Sequence, residues 1–190
     1  EGGLLGKNLK LVSVSRKTID ETYPVYSGKS KYARNQCNET KIVLEEKTGL
    51  KRKLELYFRA YDDGAAFRYG IPEQSAVNEF TLSTEETNFN FAGDYSCWAL
   101  KRDRFRHSYE GEDLKYKLGS IYSKTSDTTS TQPYITLPLT IEISGGLDVC
   151  LSEAAITDYA GMYLIKGEGN NSFKSKLSPY PDDISVSVKG

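Results

Sequence analysis

Between Lys53 and Tyr69 the chain reads KLELYFRAYDDGAAFRY, and its apolar residues fall on alternate positions. Leu54, Leu56, Phe58 and Ala60 share one phase against Glu55, Tyr57, Arg59 and Tyr61; after Asp62-Asp63-Gly64 the apolar phase resumes at Ala65, Phe67, Tyr69 and Ile71. Alternation of this kind turns one side of a strand to a core, so the pattern predicts a β-hairpin. With Asp63-Gly64 as a two-residue primed turn, which needs positive φ, the facing pairs are Ala60/Phe67, Phe58/Tyr69 and Leu56/Ile71. A one-residue slip would set Phe67 against Arg59 and turn the apolar set to the wrong face.

The rest of the chain carries the same period. Leu9 to Ser15 is apolar and β-branched, with a change of phase between Leu9/Leu11 and Val12/Val14 that implies a bulge or a strand covered on both faces. Tyr23 to Arg34 is polar and irregular, and reads as a surface loop. Thr40 to Glu46 predicts a strand that turns at Lys47-Thr48-Gly49 into the Lys53 hairpin. Glu79 to Ser83, Asn88 to Ala92 and Leu114 to Tyr122 read as further strands. Tyr134 to Ala154 is a second clear hairpin: a three-residue turn at Ser144-Gly145-Gly146 pairs Ile143/Leu147, Ile141/Val149 and Leu139/Leu151. Pro138 argues for an edge or a bulge within it. Met162 to Lys166, Phe173 to Leu177 and Ile184 to Val188 complete the strands. No segment has a 3.6-residue period, so the fold is read as all-β and antiparallel, one domain over residues 1–190; ten or more strands must split into two packed sheets.

Composition narrows the function. The 25 basic and 26 acidic residues balance, which leaves no field to hold nucleic acid. No segment approaches the length of a membrane span. The three cysteines, Cys37, Cys97 and Cys150, lack metal-ligand spacing, and Cys150 reads as a small core residue. A start at Glu1 that runs at once into strand-like sequence reads as a processed or partial chain.

Two places carry candidate chemistry. Asp94 to Asp113 departs from the strand pattern and reads as one long connection that holds Trp98, His107, a basic cluster from Lys101 to Arg106, and Tyr109-Glu110. Either it is functional or it is a solvated loop anchored by Trp98. Glu153 is the other: continued register sets it opposite Leu137 in the inward phase, where a carboxylate needs a cation or donors. If the strand instead ends at Leu151, Glu153 meets water. Asp158 and Tyr159 follow closely, and calcium would suit such carboxylates, although its six to eight oxygens would have to come partly from elsewhere.

Four stretches together resemble the N-terminal domain of glycoside hydrolase family 97, the SusB-like α-glucosidases and α-galactosidases: YPVYSGKSKYARNQCNET from Tyr23, LELYFRAYDDGAAFRYGIP from Leu54, the Trp98 to Glu110 region, and LSEAAITDYAGMYL from Leu151. The resemblance implies a β-super-sandwich of the galactose-mutarotase-like kind. It implies a catalytic (β/α)₈ barrel, absent from this chain, on which the sandwich packs and to whose calcium it lends a glutamate, by motif match Glu153. It further implies an oligosaccharide substrate, a sugar pocket walled by this domain and a periplasmic or secreted location; Trp98, Tyr109 and Glu110 are the candidate substrate-binding residues, and the looser match at Arg59, Tyr109 and Glu110 carries no individual role across. The chain would begin at about the third strand of a complete domain and would not hydrolyse anything alone. A free-standing carbohydrate-binding module with an aromatic surface of Trp98, Phe105 and Tyr109 is the alternative. An aldose epimerase on the same fold is disfavoured, because its histidines would have to be supplied by His107 alone.

Overall fold

The computed structural model describes residues 4–77, 79–105, 108–122, 133–157 and 159–179. Regular structure among them is β-strand apart from one 3-10 turn, and every strand pairing is antiparallel, as the alternating pattern predicts. Packing separates two compact units, one in residues up to Phe80 and one in Thr81–Val186.

The first unit is a four-stranded meander of β1 (Leu9–Pro24), β2 (Tyr32–Glu46), β3 (Lys53–Ala60) and β4 (Ala65–Gly70), in that order across the sheet. The predicted change of phase is a bulge: the β1/β2 register shifts between Leu11 and Ser13. Tyr23 to Arg34 is not one loop. β1 runs on to Pro24 and β2 starts at Tyr32, because polar side chains bridge this half of the hairpin: Arg34 donates to both carboxylate oxygens of Asp20 at 2.8 Å, Asn35 to Glu21 at 2.7 Å and Thr18 to Asn38 at 3.1 Å.

The Lys53 hairpin pairs Ala60 with Ala65, Phe58 with Phe67 and Leu56 with Tyr69, two residues from the predicted register. Its turn is the four residues Tyr61 to Gly64, closed by Tyr61 N–H donating to the Gly64 carbonyl at 2.8 Å, and neither Asp63 nor Gly64 has positive φ. The primed turn is therefore not made. Apolar still faces apolar, since a shift of two keeps the face.

The opposite face of this sheet is polar and internally neutralised. Glu39, 5% exposed, takes the Arg59 Nε–H at 2.8 Å and lies 3.2 Å from Lys17 Nζ, while Glu55 takes Lys41 at 2.8 Å and the Tyr57 hydroxyl at 2.6 Å. Arg59, the strongest influence, holds the Glu39 carboxyl below its ordinary range, and burial works against it. Arg59→Met is expected to cost about 1–3 kcal/mol at neutral pH, because a nearly buried carboxylate loses a charged donor. A depressed folded pKa contributes stability above the unfolded value of 4.5 and loses it as pH falls through the folded one. Urea titrations of both proteins should thus converge in acid.

The second unit is a sandwich. One sheet has the order β11-β10-β6-β8 and the other β5-β13-β12-β9-β7. The strands are β5 (Asn88–Asn90), β6 (Ser96–Ala99), β7 (Lys101–Arg102), β8 (Leu114–Lys117), β9 (Tyr134–Ile135), β10 (Leu139–Ile143), β11 (Leu147–Leu151), β12 (Met162–Lys166) and β13 (Ser172–Leu177). Cys97, Ala99, Leu139 and Ile141 from the first sheet meet Ile135, Leu164 and Phe173 from the second in one core, with Leu118 and Ile121 of the turn after β8. The second predicted hairpin has the expected register, Ile143/Leu147 to Leu139/Leu151, and Gly145 and Gly146 supply φ of 89° and 80° that other residues resist.

Three readings are corrected here. Residues 79–83 form no strand; the chain reaches the sheet later, where Thr87 N–H donates to Ser175 Oγ at 3.0 Å. Cys150 is exposed, not a core residue, because it alternates with the inward Val149 and Leu151. Residues 94–113 are not one connection, since they contain β6 and β7, which lie in different sheets on either side of Leu100. The chain changes sheet again between β9 and β10, at Thr136 to Pro138, which is how the proline is accommodated. Thr136 N–H donates to the Leu100 carbonyl at 3.1 Å and so joins the two crossings. The predicted strand Ile184 to Val188 lies outside the described residues.

The β12–β13 turn is tight. Gly167 N–H donates to the Ser172 carbonyl at 2.9 Å, and Ser172 Oγ both accepts from Gly169 N–H and donates to its carbonyl, each at 2.8 Å. A Cβ at Gly167 would lie 2.9 Å from Ser172 Cβ and 3.0 Å from its carbonyl carbon. Gly167→Ala is expected to cost about 1–3 kcal/mol by overpacking, read as a lower urea midpoint at unchanged slope.

Candidate functional site

β11 stops at Leu151 because its partner β10 begins only at Leu139, after a proline with no N–H to continue the ladder. Glu153 therefore does not pair opposite Leu137. It does not stand in open water either: it is half-buried, and its Oε2 accepts the Met162 N–H at 2.9 Å. Burial pushes the Glu153 carboxyl above its ordinary range, the charge of Glu85 adds to this, and the Met162 N–H opposes it. Glu85 is held by two hydroxyls, accepting from Thr87 Oγ1 and from Tyr159, both at 2.6 Å. Among the described residues, no ion pair neutralises Glu153.

A carboxylate made costly by its surroundings and given a neighbouring carboxylate is suited to a hard, oxygen-seeking cation. The donor set is incomplete. Among the described residues no three His, Cys, Asp or Glu converge, so a calcium ion here would need most of its oxygens from elsewhere. Asp158 lies outside the described residues. Tyr159, which the sequence places close to Glu153, donates to Glu85, and Glu85 is the partner that the sequence does not reveal. Glu85 lies far from Glu153 in the chain, and only the fold brings its charge near.

Trp98 is on β6, where its neighbours Cys97 and Ala99 point into the core, so its indole lies on the outer side of the β11-β10-β6-β8 sheet. Its Nε1–H donates to Glu142 Oε1 at 2.8 Å, and Lys115 Nζ lies 2.6 Å from Glu142 Oε2 and 5.5 Å from the indole centroid. Lys115, then the indole N–H, hold the Glu142 carboxyl below its usual range.

Tyr109 and Glu110 belong to the other layer. Tyr163 alternates with the core residue Leu164, and Tyr134 with Ile135, so both rings lie on the outer side of the five-stranded sheet. Phe105 packs on them with centroid distances of 4.3 Å to Tyr134 and 5.3 Å to Tyr163, and Tyr109 donates its hydroxyl hydrogen to Tyr163 Oη at 3.1 Å. Burial raises the Tyr163 phenol pKa well above normal. Arg102 fastens the connection from β7 to β8 by donating to the Glu110 carbonyl, with its guanidinium pressed on Gly111, where a Cβ would lie 2.6 Å from Nη2. Glu110 itself is exposed. The structure thus gathers Phe105 and Tyr109 with Tyr134 and Tyr163, and leaves Trp98 across the core from them; His107 lies outside the described residues.

Comparison with known proteins agrees with this fold. The sequence profile of the family described as Glycosyl-hydrolase 97 N-terminal matches residues 1–181. A retaining alpha-galactosidase from Bacteroides thetaiotaomicron is 28% identical over 188 residues, which are 95% of this chain and 26% of that protein. A variant of a Glycoside Hydrolase Family 97 enzyme from Pseudoalteromonas sp. strain K8 superposes with a TM-score of 0.80 at 21% identity, over 96% of this chain and 26% of that one. A beta-arabinopyranosidase structure superposes with a TM-score of 0.73 at 26% identity, over 90% of this chain and 27% of that one. The chain spans about a quarter of the length of these relatives. An all-β sandwich of this topology, matched by the profile over nearly its whole length, belongs to the N-terminal domain family of the glycoside hydrolase 97 enzymes.

Proposed function

We propose that this chain is the N-terminal sandwich part of a longer, calcium-dependent α-glycoside hydrolase, that it packs on a catalytic (β/α)₈ barrel of the same polypeptide, and that it lends Glu153 to calcium there. The observation that carries this reading is Glu153 itself: a half-buried carboxylate with one backbone N–H donor, no ion-pair partner among the described residues, and a second carboxylate near enough to raise its pKa. The fixed Met162 N–H orients the carboxylate without neutralising it. Bound calcium would supply a Lewis-acidic charge beside the reacting glycoside. Two carboxylates of the barrel would do the proton transfer and the attack on the sugar, as glycosidases of this kind require. Tyr109 and Glu110, on the connection that Arg102 fastens, and Trp98 are the residues with which this domain would wall an oligosaccharide site. The reading carries with it a periplasmic or secreted location and an α-glucoside or α-galactoside substrate.

The test is an assay of the whole polypeptide on nitrophenyl α-glucoside and α-galactoside. Hydrolysis that EDTA abolishes and calcium restores is expected; hydrolysis indifferent to EDTA removes calcium from the reading, and none of either glycoside removes the enzyme. A free-standing carbohydrate-binding module draws less support, because Trp98 and Tyr109 lie on opposite outer faces and make no common platform.

A further inference from the structure

The connection from β11 to β12 carries Glu153, and it is pinned along its length. Its far end is closed by the bond that Glu153 Oε2 accepts from Met162 N–H at 2.9 Å, and by Ser178 N–H donating to the Gly161 carbonyl at 2.8 Å. Ala155 stands at a φ of 53°, in the left-handed region that a residue with a side chain enters only where its surroundings require it. Its carbonyl accepts Thr157 N–H at 2.9 Å. Further on, Tyr159 donates its hydroxyl hydrogen to Glu85 Oε2 at 2.6 Å and so ties the connection to a distant segment.

Glu85 is a fixed anchor. Its Oε1 accepts from Thr87 Oγ1 at 2.6 Å, so rotation of the carboxylate would give up one hydroxyl or the other. Its carbonyl accepts Ser175 Oγ at 2.6 Å. Thr87 exchanges two more bonds with Ser175: its N–H donates to Oγ at 3.0 Å, and its carbonyl accepts Ser175 N–H at 2.8 Å. Ser175 is a buried residue of β13 opposite Leu164, and Met162 pairs with Leu177 of the same strand. The anchor and the N–H that donates to Glu153 thus belong to one pair of strands.

We propose that Tyr159 and Glu85 are positioning residues for Glu153: the Tyr159 hydroxyl braces the connection against β13 and thereby holds the Glu153 carboxylate at the Met162 N–H, in place for a cation. The inference rests on the reading of Glu153 as a metal ligand and adds to it two residues that act through another. The physical reason is conformational entropy. An unbraced connection samples several arrangements, which a cation must fix on binding, whereas a braced one is already fixed. A hydroxyl that supports a ligand in this way changes metal affinity by about 10–100-fold.

Tyr159→Phe in the whole polypeptide tests this, because it removes the hydroxyl and leaves the ring and the Glu85 charge. Calcium affinity is read by titration, and hydrogen exchange of the Met162 amide is read with EDTA present. Calcium should bind about tenfold more weakly, and the Met162 amide should exchange about tenfold faster, while the amide of the fully buried Leu164 keeps the parent rate. Glu85→Ala should act likewise, and Tyr159→Phe should add nothing to it. An unchanged Met162 amide, an unchanged calcium affinity or additive losses in the double variant would overturn the proposal. Equal acceleration at Leu164 overturns it too, since the hydroxyl would then be a general support of the fold. If the parent binds no calcium, the calcium reading fails by itself, and exchange at Met162 alone decides whether Tyr159 positions Glu153.

Discussion

Phe173→Ala is expected to lower the unfolding free energy by about 3–5 kcal/mol, a large share of the 5–15 kcal/mol that a domain of this size has in total. Phe173 lies on β13 at 1% exposure, at the centre of the only apolar core cluster among the described residues of the sandwich unit. It makes an edge contact with Phe91 at 6.2 Å and a tilted one with Tyr122 at 6.0 Å. Neither neighbour can collapse into the space left behind without giving up its own packing: Phe91 N–H is tied to the Asn171 carbonyl at 3.0 Å, and Tyr122 follows Ile121, which is fully buried. The cavity term should therefore approach its full size. Urea or thermal unfolding checks this, with Phe173→Leu as the comparison that keeps most of the volume and is expected to cost clearly less. Equal costs for the two would mean that ring geometry, and not filled volume, is what the site requires.

On the reading of Glu153 as a metal ligand, Glu153→Gln separates two roles that usually fail together. Glutamine keeps an oxygen for the Met162 N–H and removes the charge. The folded pKa of Glu153 lies above its ordinary 4.5, so the folded state holds the proton more tightly than the unfolded one, and its stability falls as pH rises through that window. The variant is freed of this loss, and should unfold at neutral pH no more easily than the parent. In the whole polypeptide its calcium affinity should fall by about 10–100-fold, the scale on which loss of a supporting group at a metal site is felt. Calcium titration and urea unfolding of the same two proteins give the answer. A stable variant with weakened calcium binding is a ligand lost; an unstable one with unchanged binding makes Glu153 a purely structural acceptor. Protons compete with the metal for a deprotonated carboxylate, so calcium affinity in the parent should begin to fall above the pH at which an ordinary glutamate would be protonated.

The two hairpins show what alternation can and cannot specify. In the Tyr134 hairpin the Gly145-Gly146 pair leaves few ways to turn, and side-chain phase and loop length select one register. In the Lys53 hairpin the phase is equally clear, but a shift of two residues preserves it, and only the closing Tyr61–Gly64 hydrogen bond decides. The polar half of the first hairpin gave no period at all, since its strands are held by Arg34, Asn35 and Thr18 reaching across to polar partners and not by burial. The sheet changes at Leu100 and Pro138 were likewise hidden: a strand that leaves one layer for the other keeps its alternation while its partners change. At the candidate site Glu153 is half-buried as an inward carboxylate would be, but not by the register that sets it opposite Leu137, since β11 ends at Leu151. Its surroundings are not legible in the sequence, because the nearby charge comes from Glu85, far away in the chain, and the Met162 N–H that it accepts lies nine residues on, at the start of a strand whose place only the fold sets.

The bond from Thr136 to the Leu100 carbonyl has a mechanical consequence. Each crossing carries a covalent strand from one layer to the other, and the two are riveted together where they pass. Shear of the layers at this point would have to break that bond and strain both crossings. Amide exchange at Thr136 should consequently occur only when the whole sandwich opens. β7 leaves this rivet directly, and its Arg102 reaches the Glu110 carbonyl, so Tyr109 and Glu110 are tied to the same crossing by a side chain as well as to Tyr163 through the Tyr109 hydroxyl.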